Sequence, residues 1–239
     1  MITFNSLEEI RGVSPCAVAL GNFDGVHKGH QELIARTVDK AKAEGLKSAV
    51  FTFSNHPKSF IPGGKEVKNI VYGEEKFSLI EKLGVDYMFS IEFNEEVQNT
   101  EPADFVEKFL VGKLKAAEVF CGFNYRFGRK AAGNVDLLRE CGKRLGFSVN
   151  VIDPVVVDGE VVSSTLIRSL IKSGEVDECF KYLGRNYDIG GDVVVGNRLG
   201  KSLGFPTSNI MIDENMVTPP NGVYVTYCIY TVSYTHLTL

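Results

Sequence analysis

The sequence predicts a doubly wound α/β unit built on a parallel sheet, followed by part of an all-β barrel. Three observations carry that prediction. Apolar runs alternate with helix-period segments from residue 16 to residue 152, the pattern of strands joined through crossover helices. The stretch GNFDGVHKGH (21–30) directly follows the first of those runs, CAVAL (16–20), as a turn between strand and helix does. After Gly184 helical periodicity stops and Gly, Pro and β-branched residues take over. We therefore expect one domain over residues 1–184 and a second, incomplete one over 185–239.

The elements follow in order. CAVAL is a strand, and Leu33, Ile34, Val38 and Ala41 share one face of the helix after it, while Glu32, Arg36, Asp39, Lys40 and Lys42 fall largely on the other. Gly45 stops that helix, and SAVFTF (48–53) reads as a strand buried on both faces. EEKFSLIEKLG is the next helix and VDYMFSI the next strand; TEPADFVEKFLVGKL is a helix with Thr100 and Pro102 at its start. AEVFCGF, NVDLLRECGKRLG and FSVNVI continue as strand, helix and strand, making five strands. In such sheets ligands sit beyond the carboxyl ends of the strands, where residues 21–30, 54–57 and 122–129 belong. VVVDGEVV (155–162) is a tight hairpin around Asp-Gly. SSTLIRSLIKSG and EVDECFKYLG are helices, with Ser163, Ser164 or Thr165 as the cap of the first. The residues after 184 are too few for a closed barrel.

Composition narrows the function classes. The 239 residues are 44% hydrophobic and 23% charged, with a net charge of −4, so a globally basic, nucleic-acid-coating surface is excluded and phosphate binding needs a local site. The partners expected are small molecules, with neither nucleic acid nor membrane. No run approaches the roughly 18 apolar residues that span a bilayer, and the five cysteines include no C-x-x-C pair. Buried, reduced thiols in a cytoplasmic protein are the expectation.

The chemistry concentrates in GNFDGVHKGH. A turn between a strand and its helix aims backbone N–H groups and the helix dipole at a ligand. Gly21, Gly25 and Gly29 permit unusual dihedrals and close approach, and His27 and His30 add donors for two phosphate oxygens. Two other readings compete: half a zinc site with Asp24, or a purely structural turn. A second element, SSTLIR, places the hydroxyls of Ser164 and Thr165 at a helix start with Arg168 one turn on, a cation suited to charge developing on a departing pyrophosphate. Taken alone it is an ordinary helix cap.

GNFDGVHKGH paired with SSTLIR resembles the H-x-G-H and I-S-x-T-x-x-R pair of the nucleotidylyltransferase superfamily. FTFSNHP, CGFNYRFG and GNRLGKSLGFPTSNI narrow the resemblance to the prokaryotic bifunctional riboflavin kinase/FAD synthetases. It implies a Rossmann-like nucleotidylyltransferase domain that transfers AMP from ATP to FMN, giving FAD and pyrophosphate with Mg²⁺ present. His27, His30 and Arg168 are then the catalytic residues. Gly21, Asn22, Phe23, Asp24, Gly25, Gly29, Ser164 and Thr165 hold the nucleotide, and His56, Pro57, Asn124, Tyr125 and Arg126 the flavin. The aromatics at 123, 125 and 127 serve either ring contact or packing.

GKSLGFPTSN resembles the riboflavin kinase signature, which implies ATP and metal contacts from Gly200, Lys201, Pro206, Thr207 and Asn209, with Thr207 as the metal ligand. Lys201 and Ser208 stand where the pattern has arginine and alanine. The final TVSYTHLTL departs from the family, so no conversion of riboflavin to FMN is expected from this chain. Two further functions compete with FAD synthesis. One is adenylylation of a different phosphate acceptor, which H-x-G-H does not separate. The other is a non-catalytic flavin- or nucleotide-binding regulator, which has no use for cations that act in the transition state.

Overall fold

The computed structural model describes residues 1–57, 67–196, 204 and 207–229. Its centre is a six-stranded, wholly parallel sheet. The strands are β1 (Ile2–Phe4), β2 (Cys16–Leu20), β3 (Lys47–Phe53), β4 (Tyr87–Ile91), β5 (Ala116–Gly122) and β6 (Ser148–Ile152), in the spatial order β1-β4-β3-β2-β5-β6. Five of these are the strands read from the sequence. The sixth, β1, pairs Ile2 with Tyr87 and Phe4 with Phe89 along the sheet edge.

Alternation along each strand sorts the core into two layers. Val18, Leu20, Phe51, Phe89 and Val119 face one way, and Ala17, Ala19, Val50, Met88 and Phe120 the other. Against the second face lie α1 (Lys28–Glu44) and α2 (Gly73–Glu81), through Leu33, Ile34, Val38 and Ile80. Against the first lie α4, in which Pro102–Asp104 runs on as a π-type helix over Phe105–Lys113, and α5 (Val135–Leu145). The short α3 (Glu95–Asn99), capped by Asn94, precedes α4. Helices thus cover both sheet faces. Each fully buried Leu, Ile, Phe or Val contributes about 1.5–3 kcal/mol, so the sheet is fixed by packing before any site chemistry is considered.

The chain leaves β2 toward β3 on one side and returns to β5 on the other. The carboxyl end of β2 therefore sits at the topological switch point, where open α/β sheets bind ligands.

A third apolar cluster lies beyond that end. The hairpin β7 (Val156–Val157) and β8 (Glu160–Val161) turns through Asp158 and Gly159, both at positive φ, as a two-residue turn requires. It leads into α6 (Ser164–Ser173) and α7 (Cys179–Leu183). Ile167, Ile171, Cys179 and Leu183 bury against Ile70, Val162 and Val217. Met216 forms a parallel bridge with Asn69, whose N–H donates to Asn215 O at 2.6 Å while its carbonyl accepts from Val217 N at 2.9 Å. Residues 215–217 thus strap the segment that enters α2.

The all-β part consists, among the described residues, of one antiparallel pair, β9 (Gly191–Val194) with β10 (Asn209–Ile212). Val193, Ile210 and Met211 on this pair are about half exposed or more. Cys16, Cys121, Cys141 and Cys179 are buried free thiols as expected, whereas Cys228 is exposed.

Candidate active site

The loop from Gly21 to His27 is held in a conformation its sequence had to allow. Phe23, Gly25 and Val26 all take positive φ. A Cβ at Gly25 would lie 3.1 Å from the Ile70 side chain, and one at Gly21 3.1 Å from the Phe23 ring, so a side chain at either would press on its neighbour, and Gly25 is required by its φ of +83°. Phe23, fully buried, anchors the loop in the core.

His27 ends the loop as the N-cap of α1, its Nδ1 accepting from His30 N at 3.3 Å. The two imidazoles stack with centroids 3.6 Å apart. Gly29 leaves the stack unpressed, because a Cβ there would stand 3.2 Å from the His27 ring. Burial drives the His27 pKa down to about 4, with Arg168 adding to the effect. Burial also lowers His30, well below the usual imidazole value, helped by His27 and Lys76. Both rings are therefore neutral at pH 7 in the free protein. His30 Nδ1 is buried and has no hydrogen-bond partner among the described residues.

α6 folds onto this same loop. Ser163 caps the helix by accepting from Leu166 N, and Ser164 Oγ donates to the Asp24 carbonyl at 2.9 Å. Arg168 is ion-paired through Nη2 with the Asp24 carboxylate and donates from Nε to Lys68 O at 2.8 Å. Asp24 Oδ1 also accepts from Ile70 N at 2.8 Å and Val71 N at 3.3 Å. Burial raises the Asp24 pKa, against the pull of Arg168 and those two amides. From the far side, Arg185 Nη1 donates to Gly25 O at 3.0 Å, and Gln31 Nε2 bridges Val26 O and Leu183 O at 2.8 Å each. H-x-G-H and SSTLIR, some 140 residues apart, meet at one loop. Within it Asp24 serves as the joint that holds Arg168 in place.

Beside the loop opens a cleft of about 140 Å³, continuous with solvent and lined by Asn22, Asp24, Ser54, His56, Pro57, Tyr72, Lys76, Phe77 and Ser90 among others. His56 and Pro57 are thus together with Asn22 and Asp24. Asn124, Tyr125 and Arg126 lie on the loop after β5 and do not line this cleft. The three aromatics of that loop divide: Phe127 is buried against Phe105, Tyr125 stacks on Phe127 at 5.8 Å, and Phe123 is exposed. Packing thus accounts for Phe127 and Tyr125.

Comparison with known proteins joins these parts. The family model described as FAD synthetase matches residues 10–166, which include the loop, the cleft and the start of α6. The chain belongs to the FAD synthetase family. A riboflavin kinase model matches residues 183–237, reaching past residue 230. The bifunctional riboflavin kinase/FMN adenylyltransferase of Listeria monocytogenes is 38% identical over 209 residues, 87% of this chain and 66% of that protein. The protein of that description from Buchnera aphidicola subsp. Schizaphis graminum is 33% identical over 212 residues, 88% of this chain and 68% of its own length. The chain thus spans about two thirds of these relatives. Among solved structures, one from Streptococcus pneumoniae described as a macrolide-efflux protein has a TM-score of 0.81 at 29% identity, covering 93% of this chain and 72% of that one.

Gly200, Lys201 and Pro206 lie outside the described residues, and Thr207 and Asn209 are exposed at the start of β10. Their side-chain oxygens suit Mg²⁺, which fills the rest of its six-coordinate shell with waters and substrate phosphates. Among the described residues no cluster of three His, Cys, Asp or Glu side chains is placed to hold a metal.

Sequence reasoning missed Lys76. It is buried on α2, donating from Nζ to Thr52 Oγ1 at 2.8 Å and Phe53 O at 3.2 Å, and Thr52 Oγ1 donates to Asn22 O at 3.0 Å. Burial lowers its pKa to about 8, with Asp24 opposing. A signal existed: Lys76 and Ile80 are the two buried positions of α2, spaced i, i+4, so a lysine occupies an apolar-face position.

Proposed function

We propose that this chain transfers the adenylyl group of ATP to the phosphate of FMN, giving FAD and pyrophosphate. An oxygen of the FMN phosphate attacks the α-phosphorus of ATP; the bond from that phosphorus to the bridging oxygen breaks, and pyrophosphate leaves with the electron pair. Little covalent help is needed, and the work is alignment and charge neutralisation. Residues 1–184 carry this reaction in our reading, with residues 185–239 as the riboflavin kinase part.

The observation that carries the reading is the convergence of α6 on the β2–α1 loop, with Ser164 and Arg168 both bonded to Asp24 behind the stacked His27–His30 pair. The triphosphate would lie along the loop and the N-terminus of α1, meeting Asn22, His27 and His30 and the hydroxyls of Ser164 and Thr165. Neutral imidazoles accept protons as polyphosphate approaches, turning neutral donors into charged ones without the cost of a permanent buried cation pair. Arg168, held by Asp24, presents its remaining N–H groups to the leaving pyrophosphate. Mg²⁺, when bound, supplies further neutralisation of the β and γ phosphates.

His56 and Pro57 in the cleft support flavin binding there; a role for Asn124, Tyr125 and Arg126 in holding the flavin rests on the family resemblance alone. No described helix is long and apolar enough to cross a membrane, in keeping with a cytoplasmic enzyme of small-molecule substrates. The test is incubation with ATP, Mg²⁺ and FMN, with FAD and pyrophosphate as the expected products. Nicotinamide mononucleotide and phosphopantetheine run as parallel acceptors; preference for either would move the substrate assignment. Riboflavin phosphorylation is a second reading, carried by the riboflavin kinase match over 183–237, and appearance of FMN from riboflavin and ATP tests it separately.

A further inference from the structure

The cleft beside the loop has a polar inner end that the triphosphate does not explain. Two charged side chains line it, Asp24 and Lys76. The Asp24 charge is answered by Arg168. Lys76 donates to a hydroxyl and a carbonyl, and among the described residues no carboxylate lies within ion-pair distance of it. One of its three N–H groups is left over. A buried ammonium whose opposing carboxylate, Asp24, is already ion-paired with Arg168 is costly, and this one faces a cleft large enough to admit an anion.

A second group points to the same place. Ser90 is 1% exposed, lines the cleft, and its Oγ has no hydrogen-bond partner among the described residues. Buried hydroxyls are normally satisfied, and leaving one unmade carries a penalty. The sheet register places Ser90 directly opposite Thr52, the residue that accepts from Lys76. In parallel strands, register partners direct their side chains to the same face. The leftover ammonium donor and the unmade hydroxyl are therefore neighbours on one wall of one cleft.

We propose that Lys76 and Ser90 form the seat for the phosphomonoester of the acceptor nucleotide, an assignment that rests on the FMN adenylylation reading above. The acceptor is favoured over ATP by position. His27 and His30, which frame the triphosphate site, do not line this cleft, whereas Phe53, Tyr72 and Phe77 do. These rings suit a flat heteroaromatic ligand, with its phosphate at the polar end beside Asn22. The Lys76–Thr52–Asn22 chain of hydrogen bonds then ties the acceptor phosphate to the loop that holds the donor. That places the attacking oxygen and the α-phosphorus on adjacent supports.

The experiment compares wild type with Lys76→Met, Lys76→Arg and Ser90→Ala, using direct titration with FMN and with ATP, thermal melting, and steady-state FAD formation. Lys76→Met is expected to weaken FMN binding and raise its KM by about tenfold or more, with ATP affinity within about twofold. Lys76→Arg recovers part of the loss. Ser90→Ala weakens FMN several-fold while its melting temperature stays level or rises, a combination that a structural hydroxyl does not give. Unchanged FMN binding in Lys76→Met overturns the proposal. So does a loss confined to ATP, or a loss of fold in Lys76→Met accompanied by wild-type FMN binding in both Lys76→Arg and Ser90→Ala. If wild type binds FMN with this pattern yet forms no FAD, the phosphate seat stands and the adenylylation reading falls.

Discussion

The His27 and His30 rings lie 14° from parallel with their centroids 3.6 Å apart. At that separation two imidazolium ions repel strongly in a desolvated site, so the free protein keeps the pair neutral.

Stability should therefore depend on pH in a defined window. The folded His27 pKa is about 4 against an unfolded value of about 6.5. The unfolded chain thus binds the extra proton first, and stability is complete above about pH 6.5 and falls as pH drops toward 4. The shift corresponds to roughly 3 kcal/mol. Urea unfolding from pH 4 to 7, compared with His27→Asn, which keeps a capping side chain, should show that much more acid sensitivity in wild type.

Nucleotide binding should take up protons. At pH 6, titration with ATP in buffers of different ionisation enthalpy should reveal net proton uptake in wild type and less in His30→Asn. Equal heats after buffer correction in both proteins would remove charged imidazole from the account.

His30→Ala should lower turnover by about 10²–10³-fold, the cost of losing one donor to developing charge, with little change in unfolding midpoint. The stability effect is small because relief of the buried, unpaired Nδ1 offsets the ring packing lost against His27 and Phe23. Near-wild-type turnover would show that the ring does not meet the reacting phosphates.

Arg168→Met should behave differently, losing both activity and stability. The Asp24 carboxylate is buried and would remain without its cation, a situation that typically costs about 3–5 kcal/mol. Pairing the change with Asp24→Asn should recover much of the stability and none of the activity.

Met216→Ala should destabilise by about 2–5 kcal/mol, since Met216 is 5% exposed in the segment strapped to Asn69. It should also raise the KM for ATP, because Ile70 and Val71, next in the chain, supply the amides that hold Asp24. A stability loss with unchanged KM would uncouple the strap from the loop.

Most of the sheet was legible because β2 to β6 are apolar runs separated by helices with a clear buried face. β1 was not, since three partly exposed residues carry no period and owe their strand to pairing with β4 alone. The loop glycines and the histidine pair were visible as a local pattern. The partnership of Asp24 with Arg168 was not, because it joins residues 144 positions apart through the fold. Asp24 was read as a nucleotide contact; in the free protein its carboxylate is bonded to a guanidinium and two amides. Lys76 escaped notice because a lysine amid helical charges reads as solvated until its Ile80 spacing is weighed against the sheet. Tyr125 and Phe127 looked alike with Phe123 in an alternating run, and only the π-type helix over Phe105–Lys113, which brings Phe105 against Phe127, separates packing from exposure.

The strap across Asn69 also sets an order of events during synthesis. A nascent polypeptide has every strand of the parallel sheet once residue 152 has emerged, yet Asn69 acquires its backbone partners only with residues 215–217. Domains fold as units while the ribosome advances at about 5–20 residues per second. The segment before α2 therefore waits several seconds with its Asp24 and Arg168 bonds alone before the backbone strap completes the scaffold around Asp24.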